Sequence, residues 1–233
     1  MAPYGDRGWF DGKWLTQTIQ FENPSSSWRI TQKLQEHETL FSADEYISAG
    51  YYSESTGIFT CEEIGSSTLA IMKIRMQVPN SPDHASSSRL FIQPPETEIC
   101  GRTLLEIKAL EAMTTAGCSC IPKYITSKHA NQKSDGWVPG GFLDYIVMEK
   151  LEGITVSEEY LYDLRLEEQE ELRQAFKVSY LECQDLGFVH LDENLTNLIW
   201  NKQTMKCYII DWEAWGGKAY KWTDNEYRRW GLL

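Results

Sequence analysis

Phe188-Val189-His190-Leu191-Asp192-Glu193-Asn194-Leu195-Thr196-Asn197, followed after a hairpin pattern by Ile209-Ile210-Asp211-Trp212-Glu213, is the stretch that decides how this chain is read. It holds an aspartate, an asparagine five residues on, and a second aspartate closing the next apolar strand. That order brings three oxygen-bearing side chains to one cleft edge. Phosphoryl transfer needs such a set: one carboxylate accepts the proton of an acceptor hydroxyl, while an amide and a second carboxylate hold Mg²⁺ against nucleotide phosphates. On this reading Asp192 is the base, and Asn197 and Asp211 are metal ligands. Taken singly, each residue has a plainer use, since an aspartate after an apolar strand commonly caps a turn. The argument rests on their order and spacing.

Working outward, Leu164 to Leu186 is the longest amphipathic pattern, with Leu172, Phe176, Ser179, Cys183 and Leu186 on one stripe and Gly187 where a helix ends. Asn197 to Trp200 and Cys207 to Ile210 read as short strands around Asn201-Lys202-Gln203. Upstream, the texts YISAGYYS, GIFTCEEI and TLAIMKIRM between Tyr46 and Met76 predict a three-stranded antiparallel meander. Val78 to Gly101, with four prolines and a serine run, predicts a long surface loop lacking regular order. Thr103 to Met113 predicts a helix with Leu105 and Ala109 on one stripe and Glu106 beside it, closed by Ala116-Gly117. Ile121 to Ile125 and Tyr145 to Met148 predict two further strands. Leu15 to Phe21 alternates as a strand, but residues 1–45 as a whole read as a leading arm. The class is α+β, strand-rich in the first half and helical in the second.

The chain has 233 residues, 42% of them hydrophobic, enough core for one domain of two lobes. A net charge of −12 and a pI near 4.8 oppose binding to a phosphate backbone, and no basic stripe offsets them. Nucleic acid is therefore not an expected partner. The opening MAPYGDRGWFDGKW has no apolar run of signal or membrane-span length, so the expectation is a soluble, cytoplasmic protein without membrane attachment. Six cysteines lack the paired spacing of a disulfide framework. Cys118 and Cys120 form a C-x-C with no second pair at zinc-finger distance, so buried reduced thiols are expected there.

With these residues in view, the chain resembles the protein-kinase-like superfamily, whose catalytic loop reads His-x-Asp-x-x-x-x-Asn and whose metal-binding motif follows one hairpin later. The resemblance spans roughly Tyr46 to Trp215. It implies a minimal bilobal fold, with an antiparallel-sheet N-lobe over residues 46–150 and a truncated helical C-lobe over 151–233. It also implies ATP and Mg²⁺ as cofactors. Ala70-Ile71-Met72-Lys73 matches the strand lysine of that family, and Glu106 matches its helix partner, with Glu111 the weaker candidate. The two are expected to form an ion pair. Tyr145 to Leu151 looks like the hinge strand that would present backbone groups of Glu149 and Leu151 to an adenine. His190 is architectural in such proteins and is assigned no acid or base work.

Asp-Trp-Glu in place of Asp-Phe-Gly, and Asn194 two residues after Asp192 where a lysine would stand, resemble the aminoglycoside and choline phosphotransferase branch. In its Val-Pro-Gly-Gly, Met-Glu-Lys-Leu and Ile-Ile-Asp-Trp/Phe-Glu phrasing the chain also resembles a set of small fungal kinase-like proteins. The chain departs from the family in its phosphate cover, where only Gly50 and Gly57 stand in place of a Gly-x-Gly-x-x-Gly hairpin. It departs again at Leu191, where many protein kinases place an arginine that reads activation-loop phosphorylation. Only 22 residues follow Asp211, too few for a peptide-substrate platform. Three readings follow: a phosphotransferase acting on a small hydroxylated molecule, a pseudokinase binding a nucleotide or a protein partner, and a kinase fold turned to other chemistry in a biosynthetic pathway.

Overall fold

Alternating side chains build the first unit of the computed structural model, which describes residues 8–80, 93–217 and 221–233. Thr18–Glu22 (β1) and Ser25–Thr39 (β2) pair antiparallel across the turn at Asn23-Pro24. Residues 18–39, which the sequence reading leaves in a leading arm, are thus two strands of a sheet. Ala43–Ala49 is a helix (α1), where the sequence predicts a strand. The reason is local: Ser42 and Glu45 form a capping box, and Gly50 closes the helix in the left-handed region at φ 71°. These end signals override the β-prone Tyr46, Ile47, Tyr51 and Tyr52.

Glu54–Glu63 (β3) and Leu69–Gln77 (β4) follow as predicted, with Ile58 opposite Lys73. After Gly101–Thr115 (α2) come Tyr124–Asn131 (β5) and Phe142–Glu149 (β6). The sheet runs β1-β2-β3-β4-β6-β5. Phe21, Trp28, Ile30, Phe59, Met72 and Ile74 are buried in the core of this unit, each contributing roughly 1.5–3 kcal/mol from apolar burial. Arg75 is buried here too. Its Nε lies 3.5 Å from Glu54 Oε1 and donates to Thr56 Oγ1 at 3.2 Å, so its charge is matched where it is desolvated.

Of the loop read over Val78 to Gly101, residues 81–92 lie outside the described residues. Its flanks carry no helix or strand before α2, yet they are pinned. Gln77 Nε2 donates to Pro94 O at 2.9 Å, and Gln77 Oε1 accepts from Glu96 N–H at 2.8 Å. Asp144 Oδ2 accepts from Cys100 N–H at 2.9 Å, and His129 bridges Asp144 and the Thr97 carbonyl.

The second unit comprises residues 104–124 and 149–233, so most of α2 clusters with it and Gly101–Thr103 with the first. In order it contains Ile154–Thr155 (β7), Glu158–Asp163 (α3), Leu166–Asp185 (α4), Val189–His190 (β8), Leu198–Asn201 (β9), Lys206–Ile209 (β10), Trp215–Gly216 (β11) and Asn225–Arg229 (α5). A three-stranded sheet runs β10-β9-β7, and β8 pairs with β11. Leu172, Phe176, Ser179 and Cys183 on α4 are buried as the stripe predicts, while Leu186 is partly exposed. Gly187 turns the chain out of the helix at φ 87°. Among the described residues no helix is long and apolar enough to cross a membrane.

Candidate active site

Two short antiparallel ladders of the second unit hold the loops on which the sequence reading turns. His190 pairs with Trp215 across β8 and β11, and Leu191 N–H donates to Ala214 O at 3.0 Å. β9 and β10 form the hairpin between the two motifs, and Ile210 N–H donates to Asn197 O at 2.9 Å. The segments bearing Asp192, Asn197 and Asp211 are therefore tied to each other by backbone bonds, the most rigid way to fix side-chain positions.

Within this frame Asn197, buried, spends its amide nitrogen on Asp192: Nδ2 donates to the Asp192 carbonyl at 3.0 Å and to its Oδ2 at 3.1 Å. The amide oxygen is left as the acceptor facing away from Asp192. Asp192 itself is exposed, the state a proton acceptor for an incoming hydroxyl requires. Asn194 is used locally, its Oδ1 accepting from Thr196 N–H at 3.0 Å to start the single 3₁₀ turn Leu195–Asn197.

His190 is fully committed. Its Nε2 meets the Ile210 carbonyl at 3.0 Å and must carry the proton there, while Nδ1 accepts from Asp192 N–H at 3.2 Å. Its ring lies against Trp212 and Trp230 at centroid distances of 4.8 and 5.3 Å. Burial holds the imidazole below its ordinary pKa, against the weaker pull of Asp211 and Asp192. A neutral tautomer with both nitrogens occupied positions a loop; it has no capacity left for proton transfer.

Asp211 adopts a left-handed backbone, φ 65°, a conformation rare for residues other than glycine and tolerated best by Asp and Asn. Trp212 fixes that turn. It is buried, and its indole N–H donates to Ile209 O at 3.0 Å. One turn later the Trp215 indole donates to Leu105 O at 3.0 Å, tying the segment after Asp211 to α2. This brings carboxylate oxygens of Glu106, Asp211 and Glu213 within 4.8 Å of one another. Hard oxygen donors of this kind suit Mg²⁺.

The sequence reading includes Glu106 and Asp211 but gives Glu213 no role. Its signal was present as the second acid of Asp-x-Glu, and only the fold of that turn shows the two carboxylates converging. Lys73 lies on β4 in the first unit and is only 6% exposed, and Glu106 on α2 is 1% exposed. Glu149 ends β6, where its N–H donates to Lys123 O at 2.9 Å. Leu151 follows outside any strand.

The two glycines that stand for a phosphate cover have other uses. Gly50 is the left-handed cap of α1, and a Cβ on Gly57 would come within 2.6 Å of the Phe59 ring and 2.9 Å of the Phe10 ring. The connection from β2 to β3, which would carry that cover, contains α1 instead.

The six-stranded sheet of the first unit, the helix after β4 and the hairpin between the two acidic loops make this a small α+β fold. No family model matches the chain, and no curated protein does. Among solved structures it is similar to the Cydia pomonella granulovirus kinase PK-1, with 11% identity and a TM-score of 0.45. The alignment covers 81% of this chain and 52% of that one, so the chain spans about half the length of the viral kinase.

Proposed function

We propose that this chain is an ATP- and Mg²⁺-dependent phosphotransferase acting in the cytoplasm on a small hydroxylated molecule, of the aminoglycoside and choline phosphotransferase kind. The observation that carries the reading is the orientation of Asn197. Its nitrogen locks the carbonyl and carboxylate of Asp192, so its oxygen is the atom left for a cation beside Asp211. The residues fit the group: Asp211 and the Asn197 oxygen would hold Mg²⁺, with Glu213 a further carboxylate at the same turn. Bound there, Mg²⁺ would neutralise phosphate charge during transfer.

The remaining work falls to the chain. Asp192, exposed and aimed by Asn197, accepts the proton of the acceptor hydroxyl. On this reading Lys73 contacts the nucleotide phosphates, and backbone groups of Glu149 and Leu151 receive the adenine. A small acceptor agrees with Asp-Trp-Glu and with Asn194, two of the departures from the protein-kinase pattern.

The test is nucleotide binding by calorimetry, with and without Mg²⁺, on the wild type and on Asp211→Ala. Binding that needs Mg²⁺ and falls by roughly tenfold or more in the variant supports the reading. Equal binding by both proteins removes it. A second reading, a pseudokinase that binds without turnover, is favoured by the helix standing in place of a glycine hairpin between β2 and β3. It predicts no ATP consumption with any acceptor and partner binding that survives Asp192→Asn.

A further inference from the structure

Away from the acidic loops, the second unit gathers three cysteines that are far apart in sequence. Cys118 and Cys120 follow α2, and Cys183 lies on α4. Their sulfurs all fall within 4.8 Å of one another, with Cys118 to Cys120 at 3.4 Å and Cys120 to Cys183 at 3.5 Å. All three are buried, at 3%, 1% and 1% exposure. The sequence reading weighed the C-x-C for metal and set it aside for lack of a second pair at short spacing. The fold supplies a third thiol from 63 residues away.

The surroundings hold this triangle in place. Ser119, between the two cysteines, turns the other way and binds the Glu182 carboxylate through both its N–H, at 2.6 Å, and its hydroxyl, at 2.9 Å. Glu182 immediately precedes Cys183, so one α4 turn fixes the loop and contributes the third sulfur. Backbone bonds finish the scaffold: Cys118 N–H donates to Met113 O at 2.9 Å and Ile209 N–H to Cys120 O at 2.9 Å. A carboxylate fastening the loop that carries the ligands is the kind of outer support that orients metal-binding side chains.

We propose that Cys118, Cys120 and Cys183 form a structural site for one thiophilic metal ion, Zn²⁺ or Cu⁺. Three convergent thiolates select soft and borderline ions over the hard Mg²⁺ suited to the carboxylate cluster, so the two sites take different metals. Three sulfurs alone suit Cu⁺, whereas Zn²⁺ completes its tetrahedron with one further ligand. Ligands drawn from the end of α2 and from α4 let the ion join two elements that sequence leaves far apart, stabilising the folded unit.

Protonated thiols could pack in the same triangle, because the Cys120 thiol also reaches Ser179 O at 3.2 Å. The arrangements differ in what the protein carries. The full chain is to be produced in medium supplemented with Zn²⁺ or with copper under reducing conditions, and its metal measured by elemental analysis. One equivalent of either ion is expected, and the ion retained identifies the site's metal. Refolding the wild type with Co²⁺ should give intense thiolate charge-transfer absorption. Cys183→Ser should lose the metal, while Cys61→Ser, a buried thiol of the first unit, should keep it. Wild-type protein with no bound metal and no cobalt charge-transfer band would overturn the proposal without any variant having to fold. So would a thiol titration showing two of the three oxidised as a disulfide in freshly purified, non-reduced protein.

Discussion

The loops from Phe188 to Glu213 and the connection from Leu40 to Ser53 make an instructive pair. Both depend on local hydrogen bonds for their shape. In the first, the bonds of His190, Asn197 and Trp212 all serve to present Asp192 and Asp211. In the second, Ser42, Glu45 and Gly50 serve only to start and stop α1, and no functional group is displayed by the caps. On the proposed reading, a base and a cation site leave a trace in how polar groups are committed. The β2–β3 connection shows no corresponding trace of a phosphate cover.

The largest expected effect would break this contrast most directly. Asp192→Asn should reduce transfer by about 10²–10⁴-fold, the range ascribed to a positioned general base, while nucleotide affinity changes little. Calorimetry beside a turnover assay checks it. Equal losses in both would mean that the loop does not divide base from metal ligand.

Gly57→Ala tests the other region. The added methyl collides with Phe59 and Phe10, so unfolding stability should fall by about 1–3 kcal/mol with nucleotide affinity of the folded protein intact. A variant of normal stability with weakened nucleotide binding would instead give Gly57 a phosphate role.

Acid sensitivity sharpens the reading of His190. Burial lowers its pKa in the folded protein, so the unfolded chain binds the proton more readily. The stability that the neutral ring contributes is present above the unfolded value of about 6.5 and is lost as pH falls below it toward the folded value. Thermal melts of the wild type against His190→Gln should diverge in slope below that pH, with the variant the flatter. Parallel curves would show that the imidazole is not held neutral.

The smallest effect belongs to Ser42→Ala, which removes the cap of α1 and should cost about 1 kcal/mol, visible as faster amide exchange in residues 43–49. Nucleotide affinity should not move. A change there would show that α1 itself contributes to phosphate binding.

How far the sequence reveals this molecule depends on where the deciding interactions lie. β3, β4 and α4 were legible because their apolar faces are buried as written, whereas α2 was legible as a helix but not in its face: Leu105, read on the apolar stripe, is exposed, and the buried side carries Glu106, Ala109, Leu110 and Met113. α1 was misread because Tyr46, Ile47, Tyr51 and Tyr52 favour strands, while the helix is set by two end signals that carry little hydrophobic pattern. β1 and β2 were underestimated because β2 is largely exposed and polar outside Trp28 and Ile30, so its sheet pairing exceeds its burial signal. The acidic loops were legible through fixed spacing. Glu213 and Cys183 were not assigned because their partners come from α2 and from the segment after it, a proximity that no local pattern encodes.

The amide of Asn197 has one more consequence, concerning which replacements the position tolerates. Aspartate is nearly the same shape and is the stronger ligand for a hard cation. Yet it has no N–H to give, and its negative oxygen would face the carbonyl and carboxylate of Asp192 at the distances the donor now occupies, 3.0 and 3.1 Å. The gain on one side of the residue would be offset by repulsion on the other, and the base would swing out of register. The position therefore calls for a neutral side chain of this length with an N–H to give, and asparagine supplies it to both the carbonyl and the carboxylate of Asp192.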